Sequence, residues 1–275
     1  MQLTRKAAIG AAALVVLAIA AAWLLWQRRT ATPVVTPSAA PAASAPVAAA
    51  SQPAPAEAAI RHPIEEPSKA AEAPIDIQAT LIDLFGRKAV LSMFQVDDFP
   101  RRFVATVDNL TRPNASTRVW PVNPTPGRFG VDHRPEGDFV GVDNGLRYAP
   151  FVQMMETVDV PAAVAAYKRL YPMFQSAYVD LGYPKGYFND RLVEVIDHLL
   201  ATPDLEQAAK VHLPEINGPV QPQRPWVLYE FDDPALRALS AGQKILVRMG
   251  PVNERRLKAK LAEIRPLIAT GTVRR

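Results

Sequence analysis

The chain has 275 residues, 49% of them hydrophobic, no cysteine, and a formal net charge of +4. Without cysteine it has no disulfide framework, thiolate metal site, cysteine nucleophile or lipobox lipid. Its hydrophobic content and mean hydropathy of -0.01 exclude both a wholly disordered chain and a polytopic membrane protein.

The basic pI of about 9.4 invites a nucleic-acid reading. Six basic and four acidic residues precede Ile75, which leaves 25 basic and 23 acidic in the last 201 residues, a net +2. The one dense basic run, Arg255, Arg256, Lys258 and Lys260, alternates with Leu257, Leu261 and Ile264. It reads as the wet face of an amphipathic helix rather than a phosphate-binding stripe. Nucleic acid is not expected as a partner.

In chain order, Arg5 and Lys6 precede an uncharged run over residues 7–27, and Arg28 and Arg29 follow it. At ~1.5 Å per residue those 21 residues make roughly 31 Å of helix, enough for a hydrocarbon core of ~30 Å. Trp23 and Trp26 suit an interfacial helix end. Ala20 and Ala22 offer an A-x-A cleavage site as the competing reading. The expectation is a single-pass anchor (residues 1–29) with the C-terminal domain outside the cytoplasm. In a Gram-negative cell that is an inner-membrane protein facing the periplasm. Residues 30–74 hold nine prolines, sixteen alanines and no aromatic residue, and read as a disordered Ala/Pro-rich spacer.

Residues 75–275 read as one globular, mainly α-helical domain with a minor β component, the alternative being a more balanced α+β domain. Asp76 caps a helix through Phe85 that breaks at Gly86, and a second helix runs from Arg87 to about Gln95. Phe99, Phe103, Val104, Val107 and Leu110 mark a third, stopped by Pro113. Periodicity disappears from Arg112 to Pro150, apart from short alternating pieces near 128–131 and 138–142 that pair as strands. Such a long connection is often functional.

Asp159 then caps a helix with Val164, Tyr167, Tyr171, Phe174, Tyr178 and Leu181 on one face, kinked at Pro172. At this spacing the aromatic stripe is core. After Gly182–Gly186, Asn189 or Asp190 caps a helix to Leu200 that buries Leu192, Val193, Val195, Ile196, Leu199 and Leu200. Trp226–Phe231 reads as a strand. Asp233-Pro234 opens a helix closed by Gly250-Pro251, and Asn253 caps the last one.

The strings VATVDNL (104–110), NGLRY (144–148), YPMFQSAY (171–178), LGYPKGYFNDRLVEVIDHLLATP (181–203) and DPALRALSAGQKILVRMGPVN (233–253) resemble the bacterial domain-of-unknown-function family numbered 3014. The resemblance spans roughly 76–268 and implies an uncharacterised envelope protein. It carries no reaction, cofactor or binding residue.

Chemistry must be weighed residue by residue. Asp190, Glu194, Asp197 and His198 share the polar face of one helix. That placement follows the helix dipole, with Asp190 at the N-terminus and His198 near the C-terminus, so no metal site is assigned. Asp97-Asp98 and Asp232-Asp233 precede helices and read as caps rather than acid–base dyads. No nucleophile elbow, zincin motif, P-loop or dinucleotide fingerprint is present, and no cofactor is expected.

The candidate binding residues are Asn144, Arg147 and Tyr148 with Tyr187, Asn189, Asp190 and Arg191, all at loop-to-helix junctions, and Asp197 and His198 beyond them. Arginine offers a charged fork and tyrosine a stacking face. The structural alternative has Arg147 or Arg191 tying a loop to Asp143 or Asp190, with the tyrosines packed. The functional expectation is a membrane-tethered, non-catalytic envelope domain that contacts other proteins. The alternatives are an envelope-glycan module and an unrecognised hydrolase, the latter tested at Asp190, Asp197 and His198.

Overall fold

The computed structural model describes residues 59–64, 75–215 and 222–269, all within one compact unit spanning residues 55–275. The apolar run over 7–27 and most of the spacer lie outside the described residues. Among the described residues no helix is long and apolar enough to cross a membrane. The domain is mainly helical with a small antiparallel sheet.

Local rules set the first helices. Asp76 accepts the Ala79 N–H at 3.0 Å and starts α1 (Ile77–Phe85). Gly86, at φ 80°, takes a conformation that disfavours any Cβ and lets α2 (Arg87–Met93) leave in a new direction. α3 (Phe99–Leu110) follows Asp98, whose φ of 56° puts a non-glycine residue in the left-handed region. Asp98 makes no side-chain cap, so the capping role expected of that aspartate pair is not taken up here.

The irregular stretch ends earlier than expected, at residue 143. It contains β1 (Val131–Arg134) and β2 (Gly137–Val140), a tight hairpin, and gives way to α4 (Asn144–Thr157). Pro150 inside α4 hid this helix from the sequence reading, and its apolar residues do not gather on one face. Burial of Val152 and Met154 holds the helix despite the lost hydrogen bond.

Asp159 accepts the Ala162 N–H at 2.7 Å and opens α5 (Val160–Asp180), which runs through Pro172. Its stripe is core as expected: Leu170, Tyr171, Phe174 and Tyr178 join Val104, Phe188, Val195 and Leu246 in the main cluster. Leu181 falls past the helix and is exposed. α6 (Phe188–Leu200) buries Val193, Val195, Ile196 and Leu199.

β3 (Lys210–His212), too short to announce itself, joins β2, and β4 (Glu230–Phe231) completes the order β1-β2-β3-β4. Pro225 starts a 3₁₀ turn over Pro225–Val227, so only the end of the expected strand pairs. The expected single helix after Asp233 is two, α7 (Pro234–Ala238) and α8 (Ala241–Met249), parted where Ser240 and Gln243 form a reciprocal capping box. Gly250, at φ 82°, begins α9 (Pro251–Ile268). Asn253 lies inside its first turn and donates to Gly145 and Met249 carbonyls instead of capping it.

α8 has two working faces. Leu246 and Met249 enter the helical core, while Val247 packs with Val140, Val211, Phe231 and Leu236 beneath the sheet. A third cluster of Val160, Val164, Val193, Ile196 and Ile268 ties α5, α6 and α9.

One segment of the stretch read as spacer is part of this fold. Ile64 is 6% exposed and belongs to the main core, so residues 59–64 form a strap on the domain.

Candidate functional site

The first turn of α6 is built in an unusual way. A helix start leaves several N–H groups without partners, normally met by its own cap. Here Tyr187 holds the cap position and its side chain makes no cap bond. α5 supplies the partners instead. Gln175 accepts the Phe188 N–H at 2.8 Å and donates to the Gly186 carbonyl at 2.8 Å, and the Tyr171 hydroxyl accepts the Asn189 N–H at 3.2 Å. The expected caps, Asn189 and Asp190, are thereby released for other work.

That work is the strap. The two Asp190 oxygens accept two successive backbone N–H groups, Arg61 at 3.0 Å and His62 at 2.7 Å. Asn189 Nδ2 donates to the His62 carbonyl at 2.8 Å, and the Tyr187 hydroxyl accepts the Ile64 N–H at 2.8 Å. Asn189 is wholly buried; Nδ2 donates again to the Ile268 carbonyl at 2.9 Å, and Oδ1 accepts from the Tyr167 hydroxyl at 3.0 Å. Burial raises the Tyr167 and Tyr171 hydroxyls far above the usual phenol range, and it pushes Tyr178 up to about 12. All three keep their protons across physiological pH, so Tyr167 and Tyr171 remain donors to Asn189 and Gln175. His62 Nδ1 is buried without a hydrogen-bond partner.

Arg191 turns the other way. It donates through Nε to Asp108 at 3.1 Å, through Nη2 to the Asp108 carbonyl and Thr111, and through Nη1 to Glu194 at 2.9 Å. The Asp108 side chain is 3% exposed and also takes Arg112 and, at 3.2 Å, the Tyr183 hydroxyl. Arg191 therefore locks the end of α3 onto α6, a structural role with a carboxylate other than the expected Asp190 or Asp143.

Asp197 and His198 serve separate joints. Arg265 of α9 forms a two-pronged pair with Asp197, and its hydrogen bond holds the carboxyl below the usual range, against burial. His198 Nε2 lies 2.9 Å from Ser240 Oγ beside a cleft of about 260 Å³. A histidine on a serine is hydrolase-like geometry, but this hydroxyl already accepts the Gln243 N–H as the cap of α8. Among the described residues no three His, Asp or Glu are grouped to hold a metal ion.

The α4 junction is a second polar joint. Asn144, 1% exposed, accepts from the Gly130 N–H at 3.2 Å and from Arg147 at 2.8 Å, and donates to the Arg248 carbonyl at 3.2 Å. Arg147 donates to the Pro126 and Gly127 carbonyls and lies 5.5 Å over the Tyr148 ring. Arg248 donates to the Tyr229 carbonyl, with the Phe129 and Phe231 rings about it, and burial lowers its pKa. Among the described residues the two candidate groups share no hydrogen-bonding partner. They are two joints rather than one surface.

Sequence reasoning missed Gln175, Asp108 and the strap itself. The available signal was Ile60-Arg61-His62-Pro63-Ile64, a run of large side chains within an Ala/Pro/Ser-biased stretch.

The fold and the α6 junction together define a helical domain with a small sheet that holds a short bent segment through its backbone. Residues 99–265 match the family described as "Protein of unknown function (DUF3014)", and the chain belongs to it. The matched stretch includes Tyr187, Asn189 and Asp190 and begins downstream of the strap. No curated protein and no solved structure matches this chain.

Proposed function

We propose that this chain is a membrane-tethered, non-catalytic domain of the cell envelope that contacts other proteins. The tether rests on the apolar run over 7–27 with its basic flanks and on the Ala/Pro-rich stretch behind it. The observation that carries the interaction reading is the bonding of Tyr187, Asn189 and Asp190 to backbone groups of Arg61, His62 and Ile64. Backbone groups are what every protein partner shares, and pairing with them is a common mode of peptide recognition.

Two measurements test the reading in cells. A C-terminal alkaline phosphatase fusion should be active, because that reporter works only after export; an inactive one overturns the orientation. Crosslinking of the intact anchored protein should recover envelope proteins, with recovery reduced by Asp190→Asn. Equal recovery from both chains removes this junction from the contact.

A further inference from the structure

We infer that the N-terminal junction of α6 is a binding site for short peptide segments that bend ahead of a proline and carry a branched aliphatic residue after it, and that the strap, bent at Arg61 and His62, is its resident occupant. The pattern comes from the bonds themselves. Asp190 takes N–H groups at positions 61 and 62, Asn189 takes the carbonyl at 62, and Tyr187 takes the N–H at 64. Position 63 is the one place in this run where none of these bonds asks for a backbone donor, and it is the proline. Proline has no N–H to leave unsatisfied there, and the bend at Arg61 and His62 turns their two N–H groups toward the one carboxylate. Ile64 then enters the core at 6% exposure, so the fourth position asks for an apolar side chain. Arg61 is exposed and uses its backbone, so the first position tolerates variety.

The site side is preorganised. Gln175 and Tyr171 satisfy the helix start independently of the strap, and Asn189 is fixed by Tyr167 and the Ile268 carbonyl. Removing the strap leaves a carboxylate, an amide hydrogen and a phenol oxygen pointing at one line, beside a vacated apolar socket. A partner segment of the same pattern would complete them as the strap does. The strap competes from within the same molecule at an effective concentration on the order of millimolar, so the site favours its own chain until a better segment arrives. This inference deepens the protein-interaction reading, and its biological use rests on that reading.

The test uses the full chain in detergent micelles and a fluorescent peptide with the sequence of residues 59–64, followed by anisotropy. A chain with residues 60–64 replaced by Gly and Ser should bind the peptide saturably. The intact chain should bind it at least tenfold more weakly. Asp190→Asn in the strap-replaced chain, or Ile64→Asp in the peptide, should each weaken binding tenfold or more, with cooperative melting retained. No saturable binding to a folded strap-replaced chain, or equal binding of the Ile64→Asp peptide, overturns the proposal. If the replaced chain fails to fold, the intact chain still decides. The same peptide with Arg61→Gln, which trypsin does not cut, added at millimolar concentration should speed tryptic cleavage of the chain at the Arg61–His62 bond, and an unchanged rate refutes exchange. Binding to purified chain is read without any cellular partner, so its failure is distinct from a failure of the crosslinking experiment.

Discussion

The joints at α4 and α6 use the same grammar with opposite sign. Each buries an asparagine almost completely, Asn144 at 1% and Asn189 at 0% exposure, and each sets a charged side chain within its first helical turn. At α4 the charge is Arg147, and it takes backbone carbonyls at 126 and 127. At α6 it is Asp190, and it takes backbone N–H groups at 61 and 62. The helix dipole favours the anion and disfavours the cation, so Arg147 depends on its two carbonyls more than Asp190 depends on its amides. A joint that needs its partner is architecture; a joint that stands without it can change partners.

The largest effect expected is at the residue that serves α6 without touching the strap. Arg191→Met leaves the buried Asp108 short of its main partner and should cost about 3 kcal/mol in urea unfolding. A loss below about 1 kcal/mol would mean that Arg112 and Tyr183 suffice. Next come the asparagines. Asn144→Ala and Asn189→Ala each strand buried partners and should cost about 2 kcal/mol. Hydrogen exchange should rise at the Gly130 amide in the first and at the amides of Arg61, His62 and Ile64 in the second. If both variants loosen the same amides, the distinction between the joints falls.

Asp190→Asn should cost less, about 1 kcal/mol, because the helix start has other partners. Tryptic cleavage after Arg61, read by mass spectrometry, should nevertheless quicken at least tenfold. An unchanged rate would show that the strap does not depend on the carboxylate.

How much of this was legible in sequence depends on how local each signal is. The Asp76 and Asp159 caps and the aromatic face of α5 are patterns within one or two turns, and they stand as read. α4 was hidden because Pro150 suggested a break and Leu146, 70% exposed, blurs its apolar face. β3 has three residues, too few for alternation to register. Asn189 and Asp190 were legible as junction residues, but their partners lie more than 120 positions upstream in a stretch whose composition argues against folding. Gln175 was unreadable for the same reason: a middle-helix glutamine gives no sign that it caps a different helix.

The smallest effects are in acid, and the two sides should differ in sign. The Arg265 hydrogen bond lowers the Asp197 pKa from 3.8, so its stabilisation is present above that value and is lost as pH falls through the folded one. Burial raises Glu254 from 4.5, so its cost sets in as pH rises above 4.5 and is complete above the folded value. Glu254 follows Asn253, which bonds to Gly145 of α4. Melting temperatures from pH 3 to 7 should show Asp197→Asn losing stability only toward neutrality and Glu254→Gln gaining it there. Parallel curves would remove the contrast.

The amide of Asn189 spends one hydrogen on the carbonyl of His62 and the other on the carbonyl of Ile268. The first and last described stretches of the folded unit therefore come together at a single nitrogen, with their carbonyls no farther apart than those two bonds allow. A chain whose ends meet can be cut elsewhere and rejoined there. A circular permutant that links residue 269 to residue 59 through a few glycines, reopened in the β1–β2 turn between Pro135 and Glu136, should keep the same far-ultraviolet dichroism and melt as one unit. In such a molecule the strap and the end of α9 become neighbours in sequence as they already are in space.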